Sequence, residues 1–163
     1  MMIYLCKKIQ DLLISRHLTL CTAESCTGGR IAALLTSVPG SSEYFRGGVV
    51  SYQTEIKSLV LGVPSSLIET YGVVSAETAD AMRECACRLL EADLAITITG
   101  YAGPTGGTDA DPVGTVYVSV GTPTDHITER IVSNGQCRTE IQDDVAQRAV
   151  RLLAAFLEID SEE

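Results

Sequence analysis

One run of residues limits the architecture more than any other: Leu94-Ala-Ile-Thr-Ile-Thr99, apolar and β-branched, lying between a helical pattern and a Gly/Pro-rich loop. A strand of this kind, without polar alternation, is buried on both faces. It therefore needs helices above and below, and the chain supplies them. Residues 2–15 place Met2, Leu5, Ile9, Leu12 and Leu13 on one helical face. Residues 18–23 read as a short strand, 24–27 as a turn and 28–36 as a helix. A strand over 47–52 precedes short helices over 55–61 and 64–70. Ser75-Ala-Glu77-Thr78 offers a capping serine with acid in the first turn of a longer helix, whose inward stripe is Ala79, Met82, Ala86 and Leu89. Residues 115–120 and 126–132 form two strands joined by a turn, so one of them runs antiparallel. A last helix over 139–157 turns Ile141, Val145, Ala149, Leu152 and Phe156 inward. The expected class is α/β: a three-layer α/β/α sandwich around a mixed, mostly parallel sheet. With 163 residues and no linker or repeat, residues 1–163 are expected to form one domain.

The net charge of −9 argues against wholesale binding to nucleic acid or to an anionic membrane, both of which reward a basic surface. Much of the acid is near the C-terminus, at Glu140, Asp143, Asp144, Glu158, Asp160, Glu162 and Glu163. The six cysteines match no zinc spacing and include no Cys-x-x-Cys, so they read as small buried residues in a reducing, cytoplasmic setting. No apolar run reaches the roughly 18 residues of a membrane span.

Three segments carry chemistry. The first, Thr22-Ala-Glu24-Ser25-Cys26-Thr27-Gly28-Gly29, sits at a strand–turn–helix junction. Backbone N–H groups of Thr27, Gly28 and Gly29 at the helix start are expected to face an anion or a developing oxyanion. Ser25 is either a helix cap or a nucleophile. Cys26 is its rival, but the chain has two histidines, His17 and His126, and neither is placed as a partner for a Cys–His or Ser–His–Asp arrangement. That leaves lysine. In the second segment, Arg46 to Lys57, Lys57 is the one lysine beyond the first eight residues. A neutral lysine can deprotonate serine, and Tyr52 is placed to relay the proton or orient Lys57. Spacing alone favours the plainer reading of a strand-end aromatic and a solvated helix lysine. The third segment, residues 99–115, is a long Gly/Pro/Thr/Asp loop beyond the carboxyl end of the central strand, where ligands gather in open α/β sheets.

Together these stretches resemble the CinA C-terminal domain family. The matching pieces are Thr22-Ala-Glu-Ser-Cys-Thr-Gly-Gly29, Val38-Pro-Gly-Ser-Ser-Glu-Tyr-Phe-Arg-Gly-Gly48, Ser51-Tyr52 with Lys57 and Leu61-Gly-Val63, Gly72-Val-Val-Ser75, and Thr99-Gly-Tyr-Ala-Gly-Pro104 with Pro112-Val-Gly-Thr115. The resemblance implies hydrolysis of the carboxamide of nicotinamide mononucleotide to nicotinate mononucleotide and ammonia, with no metal or organic cofactor. It implies Ser25 as nucleophile, assisted by Tyr52 and Lys57. Gly106, Gly107 and Thr108 are expected to hold the ribose phosphate, with Arg46 as the weaker candidate and Arg138 left open as a phosphate contact. A homodimer is expected, with no feature that selects its face. The chain departs from the family pattern at Thr54, Thr105 and Gln142, where Asn, Gly and a second Arg are usual. Two alternatives to this reading are a non-catalytic nucleotide-binding domain and an amidase for another small amide.

Overall fold

A computed structural model describes residues 1–160, so Glu162 and Glu163 of the acidic tail lie outside the described residues. The chain runs α1 (Met2–Ser15), β1 (Leu20–Glu24), α2 (Arg30–Thr36), β2 (Phe45–Val50), α3 (Thr54–Ile56) continuing as a π turn (Lys57–Leu61), α4 (Ser65–Tyr71), α5 (Ala76–Leu90), β3 (Leu94–Gly100), β4 (Thr115–Gly121), β5 (His126–Val132) and α6 (Arg138–Phe156). The five strands form one sheet in the order β2-β1-β3-β4-β5. β1 is parallel to both β2 and β3, and β4 is antiparallel to β3 and β5. The sheet is thus mixed, with a parallel core, and the Leu94–Gly100 strand is its middle member, as its unbroken apolar pattern requires.

The two faces of the sheet differ in side-chain size. Leu20, Leu94, Ile96, Ile98, Val116, Val118, Val120 and Ile131 pack with α1, α2 and α6 in one buried cluster. The alternate positions Cys21, Ala23 and Ala95 pack with Met82, Cys85, Ala86 and Cys87 of α5 in a second. The small residues let α5 lie close to the sheet. Thr97 on that face donates to the Ala79 carbonyl at 2.7 Å, and Arg83, fully buried, reaches Ser119 Oγ at 2.9 Å. The capping serine behaves as its sequence context predicts: Ser75 Oγ accepts from Thr78 N–H at 3.1 Å.

Several boundaries differ from those expected. α2 begins at Arg30 rather than at residue 28, because Gly28 and Gly29 take left-handed backbone (φ +59° and +100°) and form a turn instead. β2 covers Phe45–Val50, earlier than the expected strand over 47–52, so that Ser51 and Tyr52 fall in the connection beyond its carboxyl end.

Candidate active site

β1 and β2 are parallel and in register, with Glu24 opposite Val50. Their carboxyl ends therefore deliver Ser25 and Ser51 side by side. The Ser51 N–H donates to the Glu24 carbonyl at 2.8 Å and locks the two strand ends together. From there α3 turns Lys57 back beneath the sheet edge. The Lys57 side chain is fully buried. Its Nζ lies 3.1 Å from Ser25 Oγ and donates to the Ser51 carbonyl at 2.8 Å. Burial pushes the Lys57 ammonium down from its ordinary 10.5 to about 8, the opposing influence of Cys26 being smaller. A neutral Lys57 can thus keep one N–H on Ser51 and turn its lone pair toward the Ser25 hydroxyl. That is the geometry of a base beside a nucleophile.

The environment of Cys26 disfavours its thiolate. Burial pushes its thiol up to about 12, against weaker lowering influences that include Lys57 and Arg138, so it stays protonated at neutral pH.

Glu24 is the principal residue that sequence reasoning missed. Its carboxylate is buried, accepts from the Ile31 and Ala32 N–H groups at 2.9 and 3.0 Å, and takes the Thr27 hydroxyl at 2.7 Å. The start of α2 is therefore occupied by the chain's own carboxylate. Of the expected oxyanion donors, the Gly28 N–H is instead committed to the Ser25 carbonyl at 3.1 Å, while the Thr27 hydroxyl and the Ile31 and Ala32 N–H groups are committed to Glu24.

Tyr52 and Arg138 stand at the mouth of the site. An open cleft of about 160 Å³ is lined by Ser25, Cys26, Tyr52, Tyr101, Thr105 and Arg138, among others. The Arg138 guanidinium donates to the Gly103 carbonyl and to the Tyr52 hydroxyl. Tyr52 is thus held by Arg138, and the orienting contact to Lys57 comes instead from the Ser51 carbonyl. Arg46 is not brought to the cleft. It belongs to the amino-terminal end of β2, where its Nε donates to the Leu90 carbonyl at 3.0 Å and its guanidinium lies 3.8 Å from Glu91. Spacing along a strand is the reason: Arg46 and Val50 lie four residue steps apart on β2, at ~3.3 Å each.

The 99–115 loop contributes Tyr101, Gly103 and Thr105 to the cleft lining rather than Gly106, Gly107 and Thr108. Thr108 is used within the loop: its N–H donates to the Asp111 carbonyl at 2.8 Å and its Oγ1 accepts from the Asp111 N–H at 2.9 Å. Gly107 is required by close approach, since a Cβ there would meet the Val113 nitrogen at 2.8 Å at a positive φ of 81°. The Asp111 carboxylate then ties the loop to Tyr117 and Arg130. Among the described residues, no group of three or more His, Cys, Asp or Glu side chains is placed to hold a metal ion, and no helix is long and apolar enough to cross a membrane.

Comparison with known proteins gives the family. The profile of the CinA C-terminal domain matches residues 3–157. The chain belongs to the CinA C-terminal domain family. A CinA-like protein of Desulfotalea psychrophila is 45% identical over 145 residues, covering 89% of this chain and 35% of that protein. A CinA-like protein of Citrifermentans bemidjiense is 45% identical over 150 residues, covering 91% of this chain and 34% of that protein. The chain thus spans about a third of the length of these curated relatives. Solved structures of CinA relatives match over nearly the whole fold. A CinA superfamily protein of Klebsiella pneumoniae superposes with a TM-score of 0.91 at 32% identity, covering 97% of this chain and 98% of that one. The competence/damage inducible protein CihA of Agrobacterium tumefaciens superposes with a TM-score of 0.90 at 34% identity, covering 96% and 95%.

Proposed function

We propose that this CinA-family chain is an amidohydrolase that uses Ser25 as nucleophile and Lys57 as base. The observation that carries the reading is the buried Lys57 Nζ, 3.1 Å from Ser25 Oγ, with its ammonium destabilised by burial. A structural lysine would be protonated and paired with acid. Here the second partner is a neutral backbone carbonyl, which a neutral amine satisfies equally well.

In the proposed reaction Lys57 takes the Ser25 proton as Oγ attacks a carboxamide carbon. The backbone N–H of Cys26, the residue after the nucleophile, is the donor proposed for the oxyanion. The proton held on Lys57 passes to the leaving nitrogen, which departs as ammonia. Water then adds to the acyl-serine, restoring the Ser25 hydroxyl and releasing the carboxylate. The net change is carboxamide plus water to carboxylate plus ammonia, a balance that needs no redox partner. The resemblance names the substrate as nicotinamide mononucleotide. Arg138, the cleft's cation, is the proposed seat for its phosphate, which would compete with Tyr52 for the guanidinium.

The test is ammonia release from nicotinamide mononucleotide by wild type, Ser25→Ala and Lys57→Ala. Ser25→Ala should abolish turnover, and Lys57→Ala should lower it by ~10²–10⁴-fold, the usual worth of a positioned base. Ammonia release by Ser25→Ala at the wild-type rate would remove the assignment. Calorimetric binding of the nucleotide without ammonia release at any pH would favour a non-catalytic binding domain.

A further inference from the structure

The nucleophile's turn is closed on itself by the Gly28 N–H, which donates to the Ser25 carbonyl at 3.1 Å, a bond that leaves the Cys26 carbonyl free to take another partner. Gly28 and Gly29 follow in left-handed backbone, which glycine adopts without steric cost. The Glu24 carboxylate grips the segment at Thr27, Ile31 and Ala32, all downstream of Cys26. The Cys26 peptide itself is held from outside. Gln142 of α6 is buried, and its Nε2 donates to the Cys26 carbonyl at 2.8 Å, from 116 positions away in sequence. Four residues earlier on α6, Arg138 reaches Gly103 and Tyr52. Positions i and i+4 share one helix face, so a single face of α6 touches both the mouth of the cleft and the back of the nucleophile's turn.

We propose that Gln142 is a positioning residue for Ser25: its amide fixes the Cys26 carbonyl, and through it the turn that keeps Ser25 Oγ within proton-transfer distance of Lys57. The proposal rests on the amidohydrolase reading for the reactivity of Ser25 and not for the identity of the substrate. Misplacement of a reacting group by ~1 Å is enough to cost ~10²-fold in rate, and loosening one hydrogen bond should cost less, about tenfold.

Gln142→Met keeps the length and burial of the side chain and removes the donor. Gln142→Arg restores N–H donors at the same place. The experiment measures the rate at which a fluorophosphonate probe modifies Ser25 in the full chain, read by mass spectrometry well below the melting temperature of each variant. In that reaction the Ser25 Oγ–phosphorus bond forms as fluoride leaves, so it reports serine reactivity without the natural substrate. Gln142→Met should label about tenfold more slowly than wild type, and Gln142→Arg should recover most of the loss. In the ammonia assay the Met variant should lose kcat per folded molecule with KM unchanged, the folded fraction of each variant being measured by urea denaturation under the assay conditions. Labelling of Gln142→Met at the wild-type rate overturns the proposal, as do failure of Gln142→Arg to recover and a wild type whose Ser25 is not labelled. Slow labelling of the Met variant, with recovery by the Arg variant and no ammonia release by wild type, upholds the positioning role and removes only the substrate.

Discussion

Lys57 and Glu24 have opposite histories as readable residues. Lys57 stands out in the sequence because it is the lone lysine after residue 8, in a chain with too few histidines for the common triads. What the sequence does not carry is its burial, which depends on β2 ending early and the π turn folding back. Burial sets the pH behaviour. Lys57 acts only when neutral, and its ammonium titrates near 8, so kcat/KM for ammonia release should rise with pH and level off above about 8. A profile flat from pH 6 to 9 would mean that some other group removes the Ser25 proton. Glu24 reads locally as a turn residue, because its acceptors' partners lie seven and eight positions ahead and meet it only after the strand has met the helix. Glu24→Ala leaves the Ile31 and Ala32 N–H groups and the Thr27 hydroxyl without their acceptor. Each orphaned buried donor costs about 1–3 kcal/mol, so urea denaturation should show a loss in that range or above it, together with reduced turnover as the Ser25 turn loosens.

At the scale of elements, what was legible followed periodicity and caps. The central strand, the Ser75 cap of α5 and the inward stripe of α6 all follow from side-chain spacing, which acts within a few residues. The placement of cations did not follow, because it depends on which end of an element a residue occupies. The sequence puts Arg46 forward for the phosphate and leaves Arg138 as an open question. Strand register sends Arg46 to the amino-terminal end of β2, whereas Arg138 opens α6 directly at the cleft. The two substitutions should therefore separate. Arg46→Ala should leave ammonia release within about twofold of wild type. Arg138→Ala should raise KM for a phosphorylated substrate by roughly tenfold or more, through loss of a charge-assisted contact. Equal effects of the two would refute the placement of the phosphate. Gly106 and Gly107 signal a backbone that must bend; the bend packs them beside Tyr101 and Val113, outside the lining of the cleft.

Across the whole molecule, the site opposes the fold that carries it. The sheet buries large aliphatics on one face and small residues on the other, and at the carboxyl end of its parallel core the chain places a lysine whose charge the interior disfavours. Such a conflict is written into the pH dependence of stability. The folded-state value of Lys57, about 8, lies below its ordinary 10.5. Between these values the unfolded chain binds more protons than the folded one, so stability from this residue rises with pH, at a slope approaching ~1.4 kcal/mol per pH unit. Above 10.5 the lysine is neutral in both states and the penalty vanishes. Below 8 it is protonated in both, and the folded state carries the full cost of a buried ammonium. Buried Cys6 and Tyr44 act in the opposite sense, because burial raises their values and their stabilising contribution is lost as pH climbs. The lysine's share must therefore be taken as a difference. Lys57→Met preserves the apolar stem, removes the charge and leaves those groups unchanged. The Met variant should be more stable than wild type at pH 7, and the gap measured by urea denaturation should narrow steadily between pH 8 and 10. A gap independent of pH would show that Lys57 is charged throughout that range in the folded protein, and would leave Ser25 without its base.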